Sequence, residues 1–361
     1  MNIRDYGWND FFDNEWKKCF KVGLFPGRII ADYGQIVRVM TEDGEFQVNR
    51  PITKHDKGME IAVGDWVALQ DSHENNSHEA GAHQIAFVLP RRTKFSRTAA
   101  GIELKEQIVA ANVDMVFLIQ SLNKDFNMRR LERYMITAWE SGAIPVVILT
   151  KSDCCNNVED KISTVYSTVP GVDVHAISCL TGEGTSDIER YLRPGKTIAL
   201  LGSSGVGKST LLNYLAGREL LKTGEIREDD DKGRHTTSHR ELFLLPNGAL
   251  LLDTPGMRSL SLWEADTGME AMFGDIEELV TQCRFFDCKH MSEPGCAIRE
   301  AINRGSLEDR RWESWSKLQK EMMILEGRKK MKQKIKEKQI IKLSSNNKYK
   351  EQKHQFAKEE Y

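Results

Sequence analysis

Nine residues in the second half of the chain, Gly202-Ser-Ser-Gly-Val-Gly-Lys-Ser-Thr210, dictate much of what this sequence can become. An apolar run, Thr197-Ile-Ala-Leu-Leu201, leads into them, and Leu211-Leu-Asn-Tyr-Leu-Ala216 leads out. The reading is strand, glycine-rich turn, helix, with the spacing G-x-x-x-x-G-K-S met at Gly202, Gly207, Lys208 and Ser209. Glycine lets the backbone curl until successive N–H groups face one point, at a helix N-terminus that favours anions. Ser203, Ser204, Gly205, Val206 and Thr210 complete a loop expected to cradle phosphates. Lys208 is expected to reach the β- and γ-phosphates, and the Ser209 hydroxyl to ligate Mg²⁺.

The bases such a loop serves are decided elsewhere. Thr150-Lys-Ser-Asp153 follows the apolar run Pro145-Val-Val-Ile-Leu149, so it falls at a strand end, where ligands bind in open α/β sheets. A carboxylate at Asp153 can accept from guanine N1–H and N2–H₂, a donor pair adenine lacks, while the Lys151 stem lies along the purine. Thr150 and Ser152 complete the segment, and the Thr150 hydroxyl can tie loops together. A second strand-end loop, Ser178-Cys-Leu-Thr-Gly-Glu-Gly184, offers backbone N–H groups at Ser178, Cys179 and Leu180 to the guanine O6. Asp253-Thr-Pro-Gly256 follows a third strand; Asp253 suits Mg²⁺, through water, and the Gly256 N–H suits the γ-phosphate. Between loop and Asp253 lies Gly233-Arg-His-Thr-Thr-Ser238, in which Thr237, with Thr236 as the alternative, is expected to ligate Mg²⁺. The polar stretch before it, from Glu228, is expected to be mobile. Met257 follows Gly256 directly, and a methionine cannot hold or polarise a water, so unaided hydrolysis of a bound nucleotide should be slow. His235 is the candidate to position the water, against the alternative of an exposed loop histidine.

A further cluster, Cys283-x₄-Cys288-x-His290-x₅-Cys296, places three thiols and an imidazole within fourteen residues. Four protein ligands close a tetrahedral Zn²⁺ site, so a zinc there is structural; the alternative is three buried thiols and an unrelated histidine.

The order of the motifs is unusual. The base-reading segments precede the phosphate loop, whereas ordinary GTPases begin with that loop. The chain therefore resembles the circularly permuted GTPases. With short β-rich runs before the core and the Cys/His cluster after it, it is similar to the bacterial ribosome small subunit-dependent GTPases over roughly residues 20 to 325. That resemblance implies a GTPase acting in late assembly of the small ribosomal subunit, stimulated by that particle, and implies His235 as a catalytic residue beside Lys208. An RNA-binding assembly chaperone holding GTP as a structural ligand is the other reading.

The organisation follows. Residues 1–103 hold an N-terminal extension, with Trp8, Phe11, Phe12 and Trp16 expected inward, and about five short strands suggesting an oligonucleotide-binding (OB) type β-barrel. Residues 104–265 form the permuted α/β GTPase core, with strands near 113, 145, 172 and 197 in one sheet. Residues 266–327 form a helical zinc-binding domain whose last helix turns Trp312, Trp315, Leu318, Met322 and Leu325 inward. Residues 328–361 are a basic tail, expected helical at first and then disordered, with twelve Lys and Arg against four Asp and Glu. The remainder carries 39 against 49, so the charge points to a local polyanion contact such as ribosomal RNA. Pro90-Arg-Arg-Thr-Lys-Phe-Ser-Arg97 reads as a basic linker with Phe95 placed to stack on a base, or as a plain solvated linker. No signal-like segment or membrane-length apolar run occurs, and seven cysteines, an odd number, argue against a disulfide framework. The expectation is a cytoplasmic monomer with GTP/GDP, Mg²⁺, one structural Zn²⁺ and no membrane partner.

Overall fold

The structure, a computed structural model, describes residues 2–51, 59–71, 83–99, 105–169, 171–221, 240–253, 263 and 265–359. Its described elements run α1 (Asp10–Cys19), β1 (Leu24–Asp32), β2 (Ile36–Thr41), β3 (Gly44–Asn49), β4 (Trp66–Asp71), β5 (His83–Val88), β6 (Lys94–Thr98), β7 (Glu106–Ala111), β8 (Met115–Ser121), α2 (Met128–Ser141) and β9 (Ile144–Thr150). They continue with α3 (Val158–Thr168), β10 (Val174–Ile177), α4 (Ser186–Glu189), β11 (Thr197–Gly202), α5 (Lys208–Ala216), β12 (Arg240–Leu244), β13 (Leu250–Asp253), α6 (Asp266–Thr281), α7 (Ala297–Asn303) and α8 (Asp309–Glu359). No described helix is long and apolar enough to cross a membrane. The chain divides into two compact units, Met1–Arg97 with Gln107–Glu278, and Thr98–Glu106 with Leu279–Tyr361.

In the first unit the strands follow the path β10-β9-β8-β11-β13-β12-β1-β2-β3, with β4 between β1 and β5. The ladders from β10 to β13 are parallel and the β12–β13 hairpin is antiparallel, as expected of the permuted α/β core, but the hairpin is not an edge, because β1 pairs with β12 and continues the sheet. Parallel strands are covered on both faces and so read as continuous apolar runs. Phe117, Ile119, Ile148, Ile198, Leu200 and Leu251 accordingly meet Leu211 and Leu212 of α5 in one core. α2 starts where the Asn127 side chain accepts from the Arg130 N–H and stops at Gly142, at φ +82°. It buries Leu131, Tyr134, Met135 and Ala138 on the sheet side. The helix expected over about 185–192 is only one turn, Ser186–Glu189.

Strands β1 to β5 are all antiparallel, in the order β3-β2-β1-β4-β5. His83 of β5 meets Phe46 of β3 at 4.4 Å between ring centroids, bringing the two end strands together. The N-terminal extension packs on this module: Trp8 meets the fully buried Trp66 at 4.8 Å and Phe12 meets it at 5.7 Å. Phe11, expected inward, is exposed, because neighbouring helix positions point about 100° apart and Phe12 takes the inward one. Phe95 also departs from expectation. It lies on β6 and is completely buried, so it cannot stack on a base, and the neighbouring Arg91 pairs at 2.6 Å with the buried Asp65. Residues 94–98 alternate as a strand, and that alternation turns the aromatic ring inward.

In the second unit, α8 buries Leu318 and Met322 and half-buries Trp312, Trp315 and Leu325, the face expected from helical spacing. The helix carries the basic segment from Arg328 as far as Glu359.

Candidate nucleotide site and metal centre

The sheet delivers three loops to the C-terminal ends of its parallel strands. β11 ends at Gly202, and a Cβ there would sit 2.5 Å from the Ile119 carbonyl oxygen, so the neighbouring strand leaves room only for glycine. Gly205 and Gly207 take φ of +76° and +99°, which turns the backbone back to start α5 at Lys208. The buried Lys208 ammonium donates to the Gly202 carbonyl at 2.7 Å and to that of Ser203. Ser204 is exposed, Val206 is buried under the loop, and Ser209 and Thr210 occupy the first turn of α5.

The base-motif residues hold this loop from outside. Thr150 is buried at the end of β9, and its hydroxyl bridges the Val206 and Gln120 carbonyls. Lys151, at φ +61°, donates from Nζ to the Gly205 carbonyl at 2.9 Å. Ser152 is buried behind the exposed Asp153, whose carboxyl is held below its ordinary range first by a hydrogen bond from Ser178 and then by one from the Cys154 thiol at 3.2 Å. The Ser178 hydroxyl also accepts from the Leu180 and Thr181 N–H groups, both at 3.2 Å. Burial, helped by the charge on Asp153, pushes the Cys179 thiol up to about 11, so it stays protonated at neutral pH. Gly184, at φ +70°, closes this second loop against the Ala176 carbonyl, and Thr185 meets Tyr214 of α5 at 3.0 Å. The structure therefore brings Thr150–Asp153, Ser178–Leu180 and Gly202–Thr210 to one end of one sheet. Asp253 joins them: it is buried at the end of β13, in register with Leu200 of β11. His235, Thr236, Thr237, Gly256 and Met257 lie outside the described residues, as does the polar segment from Glu228.

One residue at this end escaped the sequence reading. Asp125, in the loop between β8 and α2, accepts from the Ser203 hydroxyl at 2.7 Å and from both Arg130 terminal nitrogens at 2.8 and 2.9 Å. Burial works against its ionisation, but the Arg130 and Ser203 hydrogen bonds prevail and hold the carboxyl below its usual range. The available signal was positional: an acid just beyond a buried parallel strand lies where such sheets bind ligands.

In the second unit the Cys/His cluster is assembled. One ligand atom each from Cys283, Cys288, His290 and Cys296 lies within 4.8 Å of the others, and His290 Nδ1 is 3.5 Å from both the Cys283 and Cys296 sulfurs. A tetrahedral ion with zinc–sulfur bonds of about 2.3 Å separates its donors by about 3.5–4 Å, so this donor set fits zinc in chemistry and size. His290 adopts φ +58°, and Gly295, at φ +74°, lets the chain pass Arg284 before Cys296 opens α7. The Glu293 carboxylate accepts from the Lys289, Met291 and Ser292 N–H groups at 2.9, 2.8 and 3.0 Å. Its own N–H and these three hold the Glu293 carboxyl down to about 2. These backbone bonds to Glu293 shape the turn that carries the chain from His290 to Cys296.

Comparison with known proteins places these features in context. The model of the RsgA GTPase family matches residues 88–263. An ABC transporter model matches residues 185–358; both ranges hold the phosphate loop, but only the first holds Thr150–Asp153. The small ribosomal subunit biogenesis GTPase RsgA 1 of Listeria innocua is 42% identical over 322 residues, covering 89% of this chain and 90% of the relative. RsgA 2 of Lactiplantibacillus plantarum is 44% identical over 304 residues, covering 83% and 84%. Among solved structures, YjeQ from Thermotoga maritima aligns with a TM-score of 0.59 at 24% identity, over 83% of this chain and 99% of that one. YloQ, described as a circularly permuted GTPase, aligns at 0.56 and 24%, over 84% and 96%. These two likenesses speak to the fold.

Proposed function

The chain belongs to the RsgA GTPase family, and we infer from that membership and from the joined strand-end loops that it hydrolyses GTP in late maturation of the small ribosomal subunit. The observation that carries the reading is the pair of bonds from the upstream base motif to the phosphate loop, Thr150 to Val206 and Lys151 to Gly205. They make base recognition and phosphate binding one piece of structure.

In this reading Asp153 accepts the guanine N1–H and N2–H₂, and the Ser178–Leu180 backbone meets O6. The N–H groups of Ser203 to Thr210 surround the phosphates at the α5 N-terminus, and Lys208 turns from the Gly202 and Ser203 carbonyls to the β- and γ-oxygens. Ser209, Thr237 and Asp253 would hold Mg²⁺, which neutralises charge between the phosphates when bound. His235 orients the attacking water, the Gly256 N–H meets the γ-phosphate, and Met257 leaves the unaided reaction slow. Cys283, Cys288, His290 and Cys296 would hold one structural Zn²⁺, with no ligand position left for chemistry. Residues 1–103 act as an OB-type module, 104–265 as the GTPase, 266–327 as the zinc domain, and the basic tail from 328 lies against ribosomal RNA. The protein works as a cytoplasmic monomer, cycling between GTP and GDP on its particle.

Replacing Asp153 with asparagine should cost about a hundredfold in GTP affinity, because the amide keeps one acceptor and turns an N–H₂ donor against the other guanine donor, and should raise affinity for xanthine nucleotides. Unchanged GTP preference in competition binding would sink the base assignment. Turnover with and without purified small subunits tests the function itself. Subunits should accelerate hydrolysis by wild type, and His235→Ala should lose about a hundredfold of the stimulated rate with GTP binding intact. If saturating subunits leave wild-type turnover unchanged, the chain is instead an assembly chaperone holding GTP as a structural ligand.

A further inference from the structure

Among the described residues, three side chains outside the phosphate loop hold it. Two ties come from the base motif: Thr150 holds Val206 and Lys151 holds Gly205. The third comes from another strand end, where Asp125 holds the Ser203 hydroxyl. Ser203 also carries one of the two carbonyls that accept from Lys208, so the group holding Ser203 sets where the lysine sits.

Asp125 is an odd choice for that task. A carboxylate beside a loop that receives phosphates repels them, unless its charge is cancelled. Arg130, in the first turn of α2, cancels it with a two-pronged contact on both carboxylate oxygens and a further bond to the Asp125 carbonyl. A neutral asparagine or serine would tie Ser203 without this cost. We propose that Asp125 and Arg130 act as a charge-balanced positioning pair for nucleotide binding: Asp125 fixes Ser203 and through it Lys208, and Arg130 keeps the carboxylate from opposing the phosphates. The inference rests on the reading of Gly202–Thr210 as a GTP cradle.

The pair has an asymmetry that simple packing lacks. Removing Arg130 exposes the loop to an uncompensated negative charge; removing both charges does not. The side chains are 25% and 41% exposed for Arg130 and Asp125, so water screens the effect in part. Full-length protein is titrated with N-methylanthraniloyl-GTP and the matching GDP analogue at low and high salt. Arg130→Met is expected to weaken GTP binding about tenfold and GDP binding less, since GTP carries more charge, with the difference shrinking at high salt. Asp125→Ala is expected to weaken both nucleotides only a few-fold, as loss of one hydrogen bond would. The double variant should return to the level of Asp125→Ala. Ser203→Ala, which leaves the ion pair whole, should match Asp125→Ala and serves if Arg130→Met does not fold, as judged by its melting curve.

Equal affinity of Arg130→Met and wild type for GTP would overturn the proposal, as would a double variant no better than Arg130→Met. In the second variant's arm, Ser203→Ala binding like wild type would overturn it. A wild-type protein that binds neither analogue would instead overturn the nucleotide reading on which the pair depends.

Discussion

Replacing Lys208 with alanine is expected to lower kcat/KM for GTP by about a thousandfold or more, among the largest single-residue effects available in this molecule. The reason lies in its setting. Lys208 is buried at the N-terminus of α5, between the Gly202 and Ser203 carbonyls. Its charge is therefore carried at the floor of the loop whether or not phosphates are near, and its donors need only turn toward the β- and γ-oxygens. Arginine should not substitute: a planar fork with five fixed donors does not fit a niche shaped for a point charge on a slender stem. Thermal melting should show both variants folded, since alanine removes a buried charge and favours the helix. Near wild-type kcat/KM in steady-state assays of Lys208→Ala would remove the phosphate loop from the mechanism.

The second large effect belongs to the metal centre. Cys296→Ser should reduce bound zinc from about one per chain toward none by atomic absorption, and a chelator should do the same to the wild type. Structural zinc contributes binding free energy of about 10–16 kcal/mol in small domains, all of it coupled to folding. Loss of the ion should therefore unfold the knuckle. His290 lies 5.2 Å from Trp312, which stacks on Trp315 at 5.0 Å, so tryptophan fluorescence reports the change directly. Guanine-nucleotide binding should persist, because every described residue of that site lies in the first unit. A zinc-free protein with unchanged fluorescence would make the cluster three thiols and a histidine with no structural ion.

What could be read from the residues alone divides along physical lines. The phosphate loop was legible because glycine, lysine and serine at fixed spacing answer a local demand of backbone geometry and charge. The Cys/His cluster was legible for the same reason: its four donors lie close in sequence. Asp125 was not, because its partner Ser203 lies 78 residues further along and no local pattern links them. The ladder from Ala31 to Glu241 joins residues still farther apart and was invisible for the same reason. Phe95 misled because composition around it is basic, whereas the β-strand alternation that buries it operates one residue at a time. Phe11 misled because it is adjacent to Phe12 on α1, and successive helix positions point about 100° apart, so only one of the two reaches the buried face. The roles of His235, Thr237 and Gly256 stand on sequence and family alone, since these residues lie outside those described.

The short ladder between β1 and β12 has a mechanical meaning. Asp32 pairs with Arg240 and Ala31 with Glu241, and Arg38 reaches across from β2 to Glu241 at 2.9 Å. Arg240 is the first described residue after 222–239, the stretch that contains Gly233–Ser238. At its other end, Asn213 of α5 clasps the backbone of Leu220 and Leu221. The exit of that stretch is thus stapled to the N-terminal strands, and its entrance to the helix that begins at the phosphate loop. A displacement of β1 or β2 would reach Arg240 across the ladder bonds and the Arg38–Glu241 pair. The N-terminal module is consequently less an ornament than a handle on the segment for which the sequence proposes His235 and Thr237.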